Sequence, residues 1–392
     1  MSQMTDSDPS HASTSEEDVR GELRLDGASD PGFLPLERLG LGRGPGEPRT
    51  AMPFGLYDGE RRSVRYLRLS VTDRCSFRCV YCMPEAGLSF VPRSEVLTFD
   101  EITRLVGIFA QLGVTHVRLT GGEPLLRKGL PDLVRRIAAV PGIADLALST
   151  NGVALDRLAA PLARAGLRRV NVSLDSLDAA RFERLTRTPA GTHARVLAGL
   201  DASLAAGLAP VKLNAVVLRG ENDGELAELV RFAAERGFTL RFIEHMPVEP
   251  VENGGFWSRD GSFVPVAEMR ATLASRYALT PLPNARGAHG GPARYALATP
   301  HDGSHAPVEV GFITAVSDHF CATCNRVRVT AVGTLQECLA FPGHVSLRDA
   351  MRAGTNDEGL AAMLHTALFA KGPGHRFGND EHTFQSMSIT GG

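Results

Sequence analysis

The sequence predicts an α/β protein, a partial (β/α)6 TIM-like barrel followed by a C-terminal extension. Three observations carry that expectation. From Arg65 onward, short strand-like runs alternate with amphipathic ones, the pattern of βαβ units around a parallel sheet. Gly113, Gly166, Gly207 and Gly237 stand where the amphipathic runs should stop, as helix C-termini favour. The third is a split between alternate strand residues, apolar on one side and polar on the other.

Strands are expected at Tyr66–Thr72, His116–Thr120, Asp145–Thr150, Arg169–Asp175, Val211–Leu218 and Thr239–Met246. Helices are expected at Phe99–Leu112, Leu130–Val140, Leu155–Ala165, Ala194–Ala206 and Gly224–Arg236. Leu67, Leu69, Val71, Val117, Leu119, Val170, Val172, Leu174, Val211, Leu213 and Ala215 form the apolar set, suited to packing on helices. The polar set is Arg68, Ser70, Thr72, Arg118, Thr120, Ser149, Asn151, Asn171, Ser173, Asp175, Lys212 and Asn214. Glu244 and Met246 share one face of the last strand. Parallel strands covered on both sides are normally apolar on both. The repeated departure predicts a wet or ligand-filled lumen. Thr120-Gly-Gly-Glu-Pro124, Ser149-Thr-Asn-Gly152 and Ser173-Leu-Asp175 follow strands, at the end where β/α barrels build their sites.

Residues 1–60 are polar and glycine-rich and read as a disordered extension. The barrel is assigned to 61–250 and the C-terminal extension to 251–392. Pro247 to about Pro307 reads as long loops, from its Pro and Gly content. Beyond it, strands are expected at Val308–Val316 and Arg326–Thr330, and helices at Ser346–Arg352 and Asp357–Lys371. With 43% hydrophobic and 22% charged residues and a net charge of −2, the composition is globular. It gives no reason to expect nucleic-acid or membrane binding. No apolar run is long enough to span a bilayer, and no secretory signal pattern opens the chain. A cytoplasmic location is expected.

The six cysteines fall into two triplets, Cys75, Cys79, Cys82 and Cys321, Cys324, Cys338. The first packs three thiols into eight residues directly after the first strand. Thiolates at that density bind soft metal or an iron–sulfur cluster. A cubane normally takes four cysteines, so three leave one iron open to a small molecule. Zinc would need a fourth ligand, and no His or further Cys lies within the loop. The second triplet has the spacing C-x2-C-x13-C. It fits either a zinc site completed by His319 or His344, or a second three-thiolate cluster. On the latter reading the C-terminal extension is cluster-binding.

In an extended run, Arg326 and Arg328 lie on one side of Val327. Paired guanidiniums there suit a phosphate or carboxylate. Arg68, Arg118 and Lys212 add positive charge to the same lumen, and an anionic ligand is the simplest compensation for burying it. Lysine is rare: Lys128, Lys212 and Lys371 are the only three among 42 basic residues. Gly121 and Gly122 would let backbone approach a ligand closely. Glu123 is placed to accept from an ammonium group.

The C-x3-C-x2-C loop with Tyr81 before its third cysteine resembles the signature of the radical S-adenosylmethionine enzymes. Gly121-Gly-Glu-Pro124 resembles the element that holds the methionyl amino group in them. From about Arg65 to Gly392 the chain resembles the GTP 3′,8-cyclase family of molybdenum cofactor biosynthesis. The supporting stretches are Leu67-Arg-Leu-Ser-Val-Thr-Asp73, Asn171-Val-Ser-Leu-Asp175, Phe242-Ile-Glu244 with Met246, the second triplet with Arg326-Val-Arg328, and the terminal Gly391-Gly392.

That resemblance implies two [4Fe-4S] clusters, on Cys75, Cys79, Cys82 and on Cys321, Cys324, Cys338, with S-adenosylmethionine at the first. A 5′-deoxyadenosyl radical would take hydrogen from ribose C3′ of GTP, and C3′ would bond to guanine C8, giving 3′,8-cyclo-7,8-dihydro-GTP. The second cluster would hold the guanine edge. Tyr81, Gly122, Ser173 and Met246 match the adenosylmethionine contacts. Arg68, Arg118, Ser149, Lys212, Arg326, Val327 and Arg328 match the GTP contacts. Gly391 and Gly392 match a tail that reaches the site. Ser149 stands where the family has Thr, and Asn325 replaces another Thr. The resemblance further implies a flavodoxin or ferredoxin as electron donor, a homodimer, and hand-over of product to cyclic pyranopterin monophosphate synthase. Rival readings are a peptide-modifying radical enzyme with an auxiliary cluster and a non-catalytic zinc-binding protein.

Overall fold

Alternation of apolar and polar residues fixes which side of each strand meets the helices, and the computed structural model follows it closely. It describes residues 55–247, 261–283, 291–375 and 377. Most of the expected N-terminal extension, and Gly391 and Gly392, lie outside these. The barrel runs β1 (Tyr66–Ser70), α1 (Phe99–Gln111), β2 (His116–Thr120), α2 (Leu130–Ala138), β3 (Asp145–Thr150), α3 (Leu155–Arg164) and β4 (Arg169–Ser173). It continues with α4 (Ala179–Thr186), α5 (Thr192–Ala205), β5 (Lys212–Val217), α6 (Leu226–Arg236) and β6 (Thr239–Glu244). All six expected strands and five expected helices are present, with ends shifted by a few residues. The outer strand face is the core: Leu67, Leu69, Val117, Leu119, Val170, Val172, Leu213 and Phe242 are fully buried. They pack with helix residues such as Leu105, Phe109, Val134, Ile137 and Leu229. Each such side chain contributes about 1.5–3 kcal/mol.

Local signals set the helix ends. Thr98 and Glu101 form a reciprocal capping box at the start of α1. Gly237 ends α6 at φ 68°, a conformation that a β-carbon disfavours. The short α4 was not anticipated. Its two turns are capped by Asp178, which accepts from Arg181 N at 2.7 Å, and buried through Phe182 and Leu185.

The C-terminal part differs from the long loops expected between Pro247 and Pro307. Among the described residues there, α7 (Val266–Ala274), β7 (Tyr277–Pro281) and β8 (Arg294–Pro300) precede β9 (Val308–Ile313). The Pro and Gly residues that suggested loops are concentrated between these elements, while β8 itself alternates, burying Ala296, Ala298 and Pro300. Then come β10 (Arg326–Val329), β11 (Thr334–Gln336), β12 (Val345–Ser346), α8 (Leu347–Arg352) and α9 (Asp357–Phe369).

One sheet collects every strand among the described residues, in the order β12-β11-β10-β1-β2-β3-β4-β5-β6-β9-β8-β7. β9 joins the free edge of β6 and β10 the free edge of β1, both parallel. Antiparallel strands cover both additions. The edges of the partial barrel are thereby paired rather than left as templates for association. Glu244, at the end of β6, fastens this arrangement. Its carboxylate accepts from Val266 N at 2.9 Å, Val316 N at 2.8 Å and Ser317 N at 2.9 Å, and from the Ser317 hydroxyl. It holds α7 and the loop after β9 to the barrel and does not act as a free lumen carboxylate.

Glu244→Ala would strand three backbone N–H groups and is expected to destabilise the fold by about 2–4 kcal/mol. Urea denaturation measures this, and a loss below about 1 kcal/mol would show that the loops do not depend on the carboxylate.

Candidate active site

The first cysteine loop leaves the carboxyl end of β1 and turns back at once. Cys82 N and Met83 N both donate to the Cys79 carbonyl, at 2.9 and 3.1 Å. Arg78 N and Val80 N donate to the last carbonyls of α4, at Thr186 and Leu185. The unanticipated helix is thus the clasp that shapes the loop. The Asn151 amide donates to Ser76 Oγ at 3.1 Å, tying in the end of β3. None of the three cysteines is in a disulfide, and all are half-buried. Burial pushes Cys75 up to about 11. It pushes Cys79 well up too, with Cys82, Asp175 and Cys75 adding repulsion. Three thiols on one tight loop, Cys75 and Cys79 reluctant to ionise alone, suit a metal cluster that deprotonates them on binding. Among the described residues no group of three or more His, Cys, Asp or Glu side chains is already drawn together to hold a metal ion.

The Gly121-Gly122 turn is a packing device. Gly122 N donates to the Thr72 carbonyl at 2.8 Å and Glu123 N to the Arg74 carbonyl at 2.7 Å. A β-carbon on Gly122 would lie 2.4 Å from Arg74 O, and one on Gly121 2.5 Å from Thr72 O. The close neighbour is the backbone entering the cysteine loop. Glu123 is also not free for an ammonium group. It accepts from Leu125 N at 2.9 Å, Thr150 Oγ1 at 2.7 Å and Asn151 N at 2.7 Å, joining the ends of β2 and β3. Burial raises its carboxyl to about 7 against these donors.

Tyr81 turns toward β4, its hydroxyl donating to Asp175 Oδ2 at 2.6 Å, while Val216 N donates to Asp175 Oδ1 at 2.9 Å. Ser173 ends β4, level with Asn214. Tyr81, Gly122 and Ser173 all sit at the carboxyl ends of the strands. Met246, two residues past β6, packs in a small cluster with Val316, Ala340, Phe377 and Cys338, on the side of the second triplet.

Inside the lumen the cations line up by register. Arg328, Arg68 and Arg118 are direct neighbours across β10, β1 and β2. Arg118 Nε donates to Tyr66 Oη at 2.5 Å, and its Nη1 reaches Ser149 Oγ at 3.5 Å. Burial first, then Arg328 and Arg118, push Arg68 well below its ordinary value. Burial and Arg326 bring Arg328 down to about 10. Val327 alternates outward into the core, so only its backbone is left to meet a lumen ligand. Lys212 lies 5.5 Å from the Tyr295 ring centre and donates to its hydroxyl at 3.4 Å.

Arg241 was missed by sequence reasoning. It is 5% exposed, and burial pushes it down to about 10. Its Nε finds no hydrogen-bond partner among the described residues, and neither do Asn171 Oδ1 and Asn214 Oδ1. The signal was available: in β6, Arg241 alternates with the core residues Leu240 and Phe242.

The second triplet closes the other end of the ladder. Asn325 O accepts from Arg65 N and Tyr66 N, so Cys324 stands level with the start of β1, whereas Cys75 lies beyond its finish. About five residues at roughly 3.3 Å each separate those levels, on the order of 15–20 Å. The arginine row falls between them. Burial raises the Cys324 thiol, but Arg326 and Lys371 outweigh it and hold it at about 7. Cys338 is raised by burial, with Cys324 and Cys321 adding to the rise and Lys371 opposing it. His319 bonds the Ala315 carbonyl and packs edge-on against His375.

The chain matches two family models, one described as the Radical SAM superfamily over residues 69–233 and one as Molybdenum Cofactor Synthesis C over residues 238–377. A GTP 3′,8-cyclase of Pseudomonas putida is 47% identical over 340 residues, 86% of this chain and 98% of that protein. One from Caulobacter vibrioides is 45% identical over 351 residues, covering 88% and 96%. Among solved structures, Streptococcus suis SuiB bound to S-adenosylmethionine superposes with a TM-score of 0.52 at 14% identity, over 77% of this chain and 68% of that one. That likeness speaks for the fold. No helix among the described residues is long and apolar enough to cross a membrane.

Asp175 gives a pH test of the first cysteine loop. Burial, opposed by the bonds from Tyr81 and Val216, raises its carboxyl from 3.8 to about 6. Between those values the folded chain keeps a proton that the unfolded chain has released, so stability falls as pH rises. The contribution is about 3 kcal/mol at most. In urea denaturation of the metal-free protein, Asp175→Asn is expected to flatten that slope. An unchanged slope would mean that Asp175 titrates normally.

Proposed function

The chain belongs to the GTP 3′,8-cyclase family of the radical S-adenosylmethionine superfamily, and from that premise we propose how its own residues carry out the reaction. The activity is the cyclisation of GTP to 3′,8-cyclo-7,8-dihydro-GTP, the first step of molybdenum cofactor biosynthesis. Hydrogen leaves ribose C3′, and that carbon bonds to guanine C8. Cys75, Cys79 and Cys82 would hold a [4Fe-4S] cluster with S-adenosylmethionine against Tyr81, Gly122, Ser173 and Met246. When bound, these supply a hydrogen-abstracting 5′-deoxyadenosyl radical.

The chain's share is binding, orientation and exclusion of water. The carrying observation is the row Arg328–Arg68–Arg118 in direct register inside the sheet. Buried guanidiniums held below their ordinary values regain favourable energy when a polyanion arrives. A triphosphate meets that need, through Arg68, Arg118, Lys212, Arg326, Arg328 and the backbone of Val327. Ser149 would orient the nucleoside, and Arg241 joins the phosphate contacts. Its open Nε, with the open acceptors on Asn171 and Asn214, offers directed bonds on the β4–β6 side. Cys321, Cys324 and Cys338 would hold a second [4Fe-4S] cluster facing the base. The Gly391-Gly392 tail would close on the site. A lumen bounded by two clusters keeps water from a carbon radical.

Six cysteines, none of them in a disulfide, suit a reducing compartment, here the cytoplasm. The electron would come from a flavodoxin- or ferredoxin-like donor. The chain would work as a homodimer, and the product would pass to cyclic pyranopterin monophosphate synthase.

Anaerobically reconstituted protein given adenosylmethionine, reductant and GTP is expected to form 5′-deoxyadenosine and the cyclised nucleotide together. Formation of 5′-deoxyadenosine while GTP persists would sink the reading. Arg241→Ala is expected to weaken GTP binding roughly ten- to a hundredfold, the worth of one charge-assisted bond at about 1.5–3 kcal/mol. Calorimetric titration with GTP measures this. Unchanged affinity would remove Arg241 from the phosphate contacts.

A further inference from the structure

Lys371, one of the three lysines of the chain, has no part in the chemistry above. It lies just past α9, with its side chain 5% exposed. Its Nζ donates to the Arg326 carbonyl at 2.9 Å and to Cys324 Sγ at 3.7 Å. It stands 3.6 Å from Asp58 Oδ2, on a side chain that is fully buried. Asp58 is itself fixed. Arg62 Nε donates to Oδ2 at 2.7 Å, and the backbone N–H groups of Glu60 and Arg62 donate to Oδ1 at 3.1 and 2.9 Å.

The rest of the Arg62 guanidinium grips the chain beyond Lys371. Nη1 donates to the carbonyls of Cys321 at 2.8 Å and Pro373 at 2.7 Å, and Nη2 to that of Gly372 at 2.7 Å. Gly374 then crosses the first thiol of the triplet. A β-carbon there would lie 2.7 Å from Cys321 Cβ and 2.9 Å from its Sγ. The turn before β1 and the segment after α9 are thus locked together over Cys321 and Cys324. Desolvation largely offsets the attraction within a buried ion network, so stability alone explains it poorly. Its reach does more. It delivers a fixed positive charge and a hydrogen bond to a sulfur, the outer contacts that set how tightly a cluster is held and how readily it is reduced.

We infer that Lys371 is a positioning residue for the second cysteine triplet, held against Cys324 by the Asp58–Arg62 pair so that a cluster there is reduced more easily. The inference rests on the two-cluster reading above. It is tested on the full chain carrying Cys75→Ser, Cys79→Ser and Cys82→Ser, which isolates the second triplet. Iron and sulfide are counted after anaerobic reconstitution, and the cluster is titrated potentiometrically by electron paramagnetic resonance. If this chain takes up no iron, the two-cluster reading falls, before any Lys371 variant is made. If it takes up a cluster, Lys371→Met is expected to shift the midpoint potential negative. Lys371→Arg should keep it near the parent. Should Lys371→Met bind no iron, retention by Lys371→Arg supports the role of the charge. An unmoved potential in Lys371→Met, or equal displacement or iron loss in the Met and Arg variants, overturns the inference.

Discussion

Concentrated positive charge inside a sheet is the constraint on which the rest of this structure depends. Arg328, Arg68 and Arg118 occupy one register row, on strands roughly 4.8 Å apart. Unit charges at such spacing repel by a few kcal/mol at the effective dielectric of a protein site. Burial compounds the cost, which is why Arg68, Arg241 and Arg328 are all pushed down. The opposite strand face supplies the offsetting term. Leu67, Leu69, Val117, Leu119 and Val327 alternate with these same arginines and are fully buried. Each strand is at once a core element and one side of an anion site. Neither role can shift by one residue without exchanging the two faces.

The sheet edges follow from this. A six-stranded partial barrel would leave β1 and β6 open, exposing the lumen from the side. β10 and β9 pair with those edges and bring material the barrel lacks. β10 brings Arg326 and Arg328, with the second triplet on its flanks. β9 brings Gly311, whose missing side chain leaves room for its neighbours: a β-carbon there would lie 2.8 Å from the Tyr295 ring and 3.0 Å from Arg241 Cγ. Tyr295 can therefore lean from β8 across β9 toward Lys212.

Strand positions and faces were legible in the sequence because period-two alternation is local and was repeated in strand after strand. The three-thiol loop was legible because its spacing is unusual. What escaped notice depended on partners distant in sequence. Glu123 and Glu244 look like catalytic carboxylates on any strand end, and only the fold shows them spent on backbone N–H groups. α4 is too short for a periodic signal, so its grip on Arg78 and Val80 was invisible. Arg241 is the exception: it stands between Leu240 and Phe242 in β6, and the same local alternation sets it on the face opposite the core.

The two triplets differ in how their surroundings treat a thiolate. At the first, burial and neighbouring acidic groups raise the thiols, and no cation figures among the causes for Cys75 or Cys79. At the second, Arg326 and Lys371 bring Cys324 down to about 7. Protein cations therefore share the compensation of a thiolate at Cys324, and none of the leading influences on Cys75 or Cys79 does so. The same β1–β10 ladder thus carries one triplet whose Cys75 and Cys79 thiols are pushed up and, beyond the arginine row, one whose Cys324 thiol is drawn down by neighbouring cations.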